Sequence, residues 1–292
     1  MSEETLTDVS VIVPAFRSEC TLPGCVANLL AQRFAGRFEV IVVASADDPR
    51  DLPRLDPDPR LKVVAVTPRH SAARARNMGA ALARGRLLAF TDSDVTAPPG
   101  WLTRMCERAA GVRCVAGSVI NGTPDSRAGT VEYLVEFSDL HPHRRLQAQH
   151  GATCNLLLPR EVWERFGPFP EDLGACEDTL LTWRLREAGL FVFAREAPIV
   201  HHNRRRLPTV LAHQYALAAG HARLERRLGH VPARPGRTAI RRTLRRVGYL
   251  YGNLADWAPR EHERARQLFP LVLLGFGAWG LGLWSESRRD AP

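Results

Sequence analysis

Asp92 and Asp94 stand one residue apart, in Thr91-Asp-Ser-Asp94, where an apolar run from Leu87 to Phe90 stops. The run reads as a buried strand, and the Pro98-Pro99-Gly100 turn follows closely, so both acids sit at the strand's C-terminal edge. In an open α/β sheet that edge is where ligands collect. Two carboxylates there repel one another and lose solvation unless a cation lies between them, and a hard divalent ion with oxygen ligands is the simplest such partner. An ion held by one or two carboxylates keeps positions for the oxygens of a diphosphate. The local chemistry is therefore that of a metal–diphosphate site, against the plainer reading of an Asp-x-Asp as helix caps or solvated loop acids.

The segments that must position these acids alternate in type. Val9 to Val13 is an apolar strand ended by Pro14, Leu22 to Leu30 has helical spacing, Phe38 to Ala44 is a β-branched strand, and Leu61 to Val66 is a shorter one. Ser71 to Ala83 reads as an alanine-rich helix with Ser71 as its N-cap, after which Leu87 to Phe90 returns to the sheet. This alternation predicts a parallel, doubly wound α/β sheet. The 71–83 helix carries Arg74, Arg76, Asn77 and Gly79 and leads directly into the acid-bearing strand. Its polar face either holds a nucleotide or diphosphate, an arginine matching phosphate geometry, or is an ordinary solvated face.

At 292 residues and 45% apolar content the chain can bury a sizeable core. A net charge of +9 points to anionic partners: nucleic acid, a phospholipid surface or phosphorylated substrates. No DNA- or RNA-reading motif accompanies the charge, so nucleic acid is not expected. Cys20, Cys25, Cys106, Cys114, Cys154 and Cys176 show no C-x-x-C spacing, which predicts reduced thiols rather than a disulfide framework or a zinc site. The first apolar run begins at Val9 behind an acidic leader, so no secretory signal is expected.

Taken together, Val11-Ile-Val-Pro-Ala-Phe16, Glu39-Val-Ile-Val-Val43, Ala73-Arg-Ala-Arg-Asn-Met-Gly79 and Thr91-Asp-Ser-Asp94 resemble the nucleotide-sugar half of a family 2 glycosyltransferase with the GT-A fold. Downstream, Gly174-Ala-Cys-Glu-Asp178, with Leu180, Arg184-Leu185 and Gly189 behind it, resembles that family's Glu-Asp motif and the helix after it. Ala197-Pro-Ile-Val-His201 resembles its closing strand and histidine. The likeness covers residues 9 to 205. It implies a donor half over 1–120, an acceptor half over 121–205, and a further segment over 206–292.

An inverting glycosyl transfer needs a cation to stabilise the departing nucleoside diphosphate and a carboxylate base to take the acceptor hydroxyl's proton on the sugar's opposite face. The resemblance implies that Asp94 holds Mn²⁺ or Mg²⁺, with Asp92 nearer the ribose or donor sugar and Ser93 between them. Asp178 is then the base, and Glu177 contacts the acceptor or positions the loop. At the level of the residues alone, Glu177 and Asp178 could simply favour the positive end of the 178–188 helix. His201, or His202 in its place, completes the metal set.

The donor site is expected to draw further on Pro14, Ala15 and Phe16 as one wall of the base pocket, with Glu19 approaching it, and on Arg74 and Asn77. One departure stands out. Where the family ends its second strand with base-holding aspartates, this chain has Ala44-Ser45-Ala46, and Asp47 and Asp48 are the nearest acids. Ala44 and Asp47 thus mark the base site without specifying the nucleotide. The Gln-x-x-Arg-Trp signature of processive synthases is missing, His213-Gln-Tyr-Ala-Leu217 standing there, so single-sugar transfer is expected. A nucleotidyltransferase would want a glycine-rich loop after the first strand, and Ala15-Phe-Arg-Ser-Glu-Cys20 has no glycine. A catalytically silent protein that kept the fold is the remaining alternative, opposed by the joint retention of Asp92, Asp94, Glu177 and Asp178.

From residue 206 the character changes. Arginines recur from Arg223 to Arg246 among leucines, followed by Tyr249, Tyr251 and Trp257, a composition suited to an anionic membrane. Leu268 to Trp284 then runs without a charge, interrupted by Pro270 and glycines. A spanning helix wants about 20 apolar residues, so this run spans with snorkelling ends, lies in the interface, or packs as a core helix. The expectation is a membrane-associated tail, a lipid-linked or cell-envelope acceptor, and a catalytic domain on the cytoplasmic face of the membrane.

Overall fold

The computed structural model describes residues 7–145 and 148–289. The first half runs β1 (Val9–Ala15), α1 (Leu22–Leu30), β2 (Phe38–Ser45), β3 (Leu61–Val66), α2 (Ala72–Leu82), β4 (Leu87–Thr91), β5 (Val95–Thr96) and α3 (Trp101–Arg108). The second half continues with β6 (Cys114–Asn121), α4 (Arg127–Glu136), β7 (Asn155–Pro159), α5 (Arg160–Phe166), α6 (Glu177–Glu187) and β8 (Phe191–His201). Four helices close the chain: α7 (Leu207–Arg227), α8 (Pro235–Trp257), α9 (Pro259–Gln267) and α10 (Phe269–Ser287).

The strands form one sheet in the order β3-β2-β1-β4-β7-β6-β8-β5. β1 is flanked in parallel by β2 and β4, and β2 by β3, as the alternation of strands and helices requires. β2 is buried at every position, the pattern of a strand covered on both faces. The sheet is mixed rather than uniformly parallel, because β7 runs antiparallel between β4 and β6, and β5 runs antiparallel to β8. β1 also continues through Pro14 to Ala15. Its register with β4 ends at Ile12, so the missing Pro14 donor removes no bond on that side, while pairing with β2 carries on to Ala44.

Three local devices aim the chain at the sheet's C-terminal edge. The Ser71 hydroxyl caps α2 by accepting the Arg74 N–H at 3.2 Å. Phe90 anchors β4 in the core, its ring 5.2 Å from those of both Trp163 and Phe169. Thr91 donates its hydroxyl to the Cys154 carbonyl at 2.8 Å, which fixes where β4 hands over to the acidic loop. The loop is tied at its far side as well: the Asp94 carbonyl accepts the His202 N–H at 2.8 Å, and Val95 pairs with His201.

The C-terminal segment is helical, but it does not hang off the sheet as a tail. Leu250, Leu254, Trp257, Leu268, Val272 and Phe276 belong to the same hydrophobic core as the strands. Among the described residues no single helix is long and apolar enough to cross a membrane, and α9 meets α10 at 86°. The glycines that weakened the helical reading of 268–284 are places of close approach. A Cβ at Gly282 would collide with the Tyr215 carbonyl of α7, and one at Gly280 with the Thr243 hydroxyl of α8. Small residues on two faces let α10 wedge between its neighbours.

Candidate active site

The C-terminal ends of β1, β4 and β8 open on one cleft of about 610 Å³. Asp92, Ser93 and Asp94 line it. Asp92, Asp94 and His201 each offer one ligand atom, all within 4.8 Å of one another. His201 Nε2 is 3.6 Å from Asp94 Oδ1. The ring is oriented from behind, with Nδ1 3.1 Å from Asn203 Oδ1. The Asn203 amide is itself fixed, because its Nδ2 donates to Asn121 Oδ1 at 3.0 Å. Nδ1 therefore donates to Asn203, which turns Nε2 toward Asp94. His202 does not compete: it turns to the Thr96 hydroxyl at 2.9 Å. Burial pushes the Asp94 carboxyl above its ordinary range, His201 pulls it down and Asp92 adds to the rise. Two carboxylates and an imidazole suit a Mn²⁺-like ion.

Arg76, not Arg74, is the arginine of α2 that reaches the site. Its Nη2 donates to Asp92 Oδ1 at 2.6 Å and its Nη1 to Glu177 Oε1 at 2.7 Å, so one buried guanidinium joins the acidic loop to the Glu-Asp loop across the cleft. Burial pushes the Glu177 carboxyl upward and Arg76 opposes it. Arg74 is exposed, 3.9 Å from Glu171, and does not line the cleft. The reason is the helical period. Arg76 shares a face with Ala73 and Ala80, both buried, whereas Arg74 points outward. Asn77 faces a loop instead of the cleft, donating to the Phe169 carbonyl at 2.9 Å and accepting the Phe169 N–H at 3.0 Å.

On the base side the structure keeps Pro14, Ala15 and Phe16 in the wall and changes their company. Ala44 is buried in the core, and Ser45 lines the cleft in its place. Glu19 is exposed outside the cleft, and exposed Asp47 lies 3.7 Å from Arg17. Strand alternation explains the exchange at 44 and 45, since neighbours on a strand face opposite ways. Arg69 and His70 line the same wall, and the Arg69 guanidinium stacks 3.9 Å from the Phe16 ring centroid. Neither had a signal in the sequence.

Facing them, the 174–176 turn delivers the two acids of α6. Gly174 has φ 71° and Cys176 φ 67°, a left-handed conformation that costs a non-glycine residue about 1–2 kcal/mol. The turn separates the roles of Glu177 and Asp178. Glu177 is buried and held by Arg76. Asp178 lines the cleft, its Oδ2 accepting the Thr153 N–H at 3.2 Å and its Oδ1 the Thr179 N–H at 2.7 Å. The helix-end reading thus holds for Asp178 without using up the carboxylate's remaining lone pairs.

A second carboxylate pair adjoins the first. Glu132, Glu136 and His213 also bring ligand atoms within 4.8 Å. Here the chain supplies the cation itself: Arg204 pairs with Glu132 through its guanidinium, and its backbone N–H donates to Glu132 Oε2 at 2.6 Å. Glu136 lies 3.2 Å from His213, whose pKa it raises against the opposing pull of burial. Arg204 borders the cleft beside Asp94, a position that no local pattern announces.

The profile of Glycosyl transferase family 2 matches residues 10–166, more than half of the chain. Glycosyltransferase AglE of Haloferax volcanii is 27% identical over 224 residues, 74% of this chain and 73% of its own length. Succinoglycan biosynthesis protein ExoO of Rhizobium meliloti is 39% identical over 108 residues, 36% of this chain and 31% of its own. Among solved structures, the mannosyltransferase PcManGT of Pyrobaculum calidifontis, in complex with GDP-Man and Mn²⁺, superposes with a TM-score of 0.55. That likeness covers 99% of this chain and 86% of the other at 20% identity, and it speaks to the fold.

Proposed function

The chain belongs to glycosyl transferase family 2 and is a glycosyltransferase, and from that premise we propose a metal-dependent, inverting transfer of one sugar from a nucleotide-sugar donor to a hydroxyl acceptor of the cell envelope. The observation that carries the proposal is the convergence of Asp92, Asp94 and His201 in a cleft that Asp178 also lines. Asp94, His201 and Asp92 would hold Mn²⁺ or Mg²⁺, whose charge stabilises a departing diphosphate. Asp178 accepts the acceptor hydroxyl's proton. Arg76 holds Asp92 in place, and Phe16 with Arg69 forms the wall for the base. On this reading residues 1–205 carry the transfer chemistry and the helices of 206–292 close its acceptor side.

A thermal-shift titration against UDP-, GDP-, dTDP- and CMP-sugars, each with and without Mn²⁺, tests the donor half. One nucleotide class is expected to stabilise the protein only with metal, by about 2.7 kcal/mol at a hundredfold excess over Kd. Asp94→Asn should abolish that shift. If no nucleotide sugar moves the melt with Mn²⁺ present, the proposal fails and a silent fold-keeping protein takes its place.

The protein is further proposed to work at the cytoplasmic face of a membrane on a lipid-linked acceptor. Ile240 and Leu244 of α8 are 63% and 66% exposed, Leu274 and Leu281 of α10 are 51% and 57% exposed, and Arg237, Arg241 and Arg245 stand beside them on α8. An apolar helix face edged by arginines fits the headgroup region of an anionic bilayer. Co-sedimentation with phosphatidylglycerol vesicles is expected, weakened by salt and lost in Ile240→Asp/Leu244→Asp. Equal recovery with neutral vesicles would argue against this placement.

A further inference from the structure

The C-terminal helices line the same cleft as Asp178. α7 turns Gln214, Leu217 and His221 toward it, at helical positions i, i+3 and i+7, α8 contributes Arg246, and α10 contributes Trp279. Arg246 is the only arginine of α8 on this wall. One Nη2 hydrogen bond, to the Val135 carbonyl at 3.0 Å, holds it, and its guanidinium lies 4.6 Å from the Trp279 ring centroid. Its buried Nε has no hydrogen-bond partner, and no carboxylate of the described residues lies within ion-pair distance of it.

The acids nearest to Arg246 are already engaged. Asp139 pairs with Arg144 at 3.4 Å, and Glu136 faces His213 at 3.2 Å while accepting from Gln214 Nε2 at 3.0 Å. Burial works against the Arg246 charge and pulls its pKa down, yet a guanidinium stays protonated. Two other arginines of the cleft are matched by carboxylates, buried Arg76 by two and half-exposed Arg204 by Glu132. Arg246, with its Nε buried, has no such compensation.

Gln214 is a second, independent observation. It is fully buried, and the bond from its Nε2 to Glu136 fixes the amide orientation, leaving Oε1 without a partner. Glu136 and Val135, which anchor Gln214 and Arg246, are adjacent in α4. An unmatched guanidinium and an unmatched carbonyl oxygen therefore stand at the same end of the cleft, beside an indole face. An oxyanion supplies the first with its counter-charge, and a hydroxyl supplies the second with a donor.

Resting on the transfer reading above, we propose that the acceptor carries a phosphate or carboxylate group that binds at Arg246, with Gln214 accepting from one of its hydroxyls and Trp279 forming the wall. The protein selects its acceptor by that charge. The test is calorimetric titration of the full chain, held with Mn²⁺ and the nucleotide that shifts its melt, against matched pairs: farnesyl phosphate and farnesol, methyl glucuronide and methyl glucoside. At least one charged member should bind about tenfold or more tighter than its neutral partner, the phosphate pair marking a lipid phosphate and the glucuronide pair an acidic sugar. Arg246→Gln should erase that preference and Arg246→Lys weaken it, both keeping the nucleotide shift. Equal binding of charged and neutral members by the wild-type protein overturns the proposal even where a variant does not fold, and so does an unchanged preference in a folded Arg246→Gln. A missing nucleotide shift in the wild type would count against the transfer reading instead, and the titration, run without nucleotide, would still judge Arg246.

Discussion

Asp178→Asn should lower kcat by about 10²- to 10⁴-fold while leaving the KM for the donor close to that of the wild type, the signature of a lost general base. The asparagine keeps one of the two oxygens, so it can still accept the Thr179 N–H at the start of α6, while its NH2 turns toward the Thr153 N–H and that bond is lost. It cannot take a proton from the acceptor hydroxyl. The stability cost should be about 1–2 kcal/mol, from the lost Thr153 bond and the negative charge removed at the start of α6. Steady-state release of nucleotide, measured beside a melting curve, separates the two effects. A folded Asp178→Asn enzyme with full kcat would assign the base elsewhere. Glu177 is poorly placed to inherit the role, because Arg76 holds its carboxylate at 2.7 Å.

Arg76→Ala should cost about 3–5 kcal/mol of stability, the penalty for stranding buried partners of a lost cation. In the wild type one guanidinium separates Asp92 from Glu177, with its side chain 6% exposed. Alanine would leave two carboxylates facing a low-dielectric space. The sign of the pH dependence follows from Glu177, whose carboxyl burial already pushes up and Arg76 pulls down. Without Arg76 its folded pKa rises further above the unfolded value, so the folded state binds the extra proton and stability falls as pH rises. Urea denaturation should therefore show the gap between variant and wild type widest near neutral pH and narrowing toward pH 5. A gap independent of pH would mean that packing, and not charge, is what Arg76 contributes. Arg76→Lys should fall between the two, since one ammonium cannot reach both acids in fork geometry.

Much of this was written along the chain. The parallel strands were legible because strands covered on both faces must be continuously apolar, and β2 is. Asp92 and Asp94 were legible because polar residues that end such a strand have nowhere to go but its edge. Arg76 was legible in principle: spaced three residues after Ala73 and four before Ala80, it had to share their buried face. Other assignments were not local. His201 and His202 are equally plausible as neighbours, and only the pairing of Val95 with His201 decides which ring meets Asp94. Ala44 and Ser45 differ in the same way.

The C-terminal helices mark the limit most clearly. A charge-free run with glycines is compatible with a bilayer or with a protein core, because both are apolar surroundings. Only the packing of α10 against α4, α7 and α8 shows what its glycines accommodate, and only that packing brings Gln214, Arg246 and Trp279 to one end of the cleft. Sequence determined the parallel strands of the first half, their acidic edge and the family, since each is carried by runs of a few neighbouring residues. Tertiary structure decided which buried charges are partnered and by what, since compensation in a low-dielectric interior is a matter of distance in space and not of spacing along the chain.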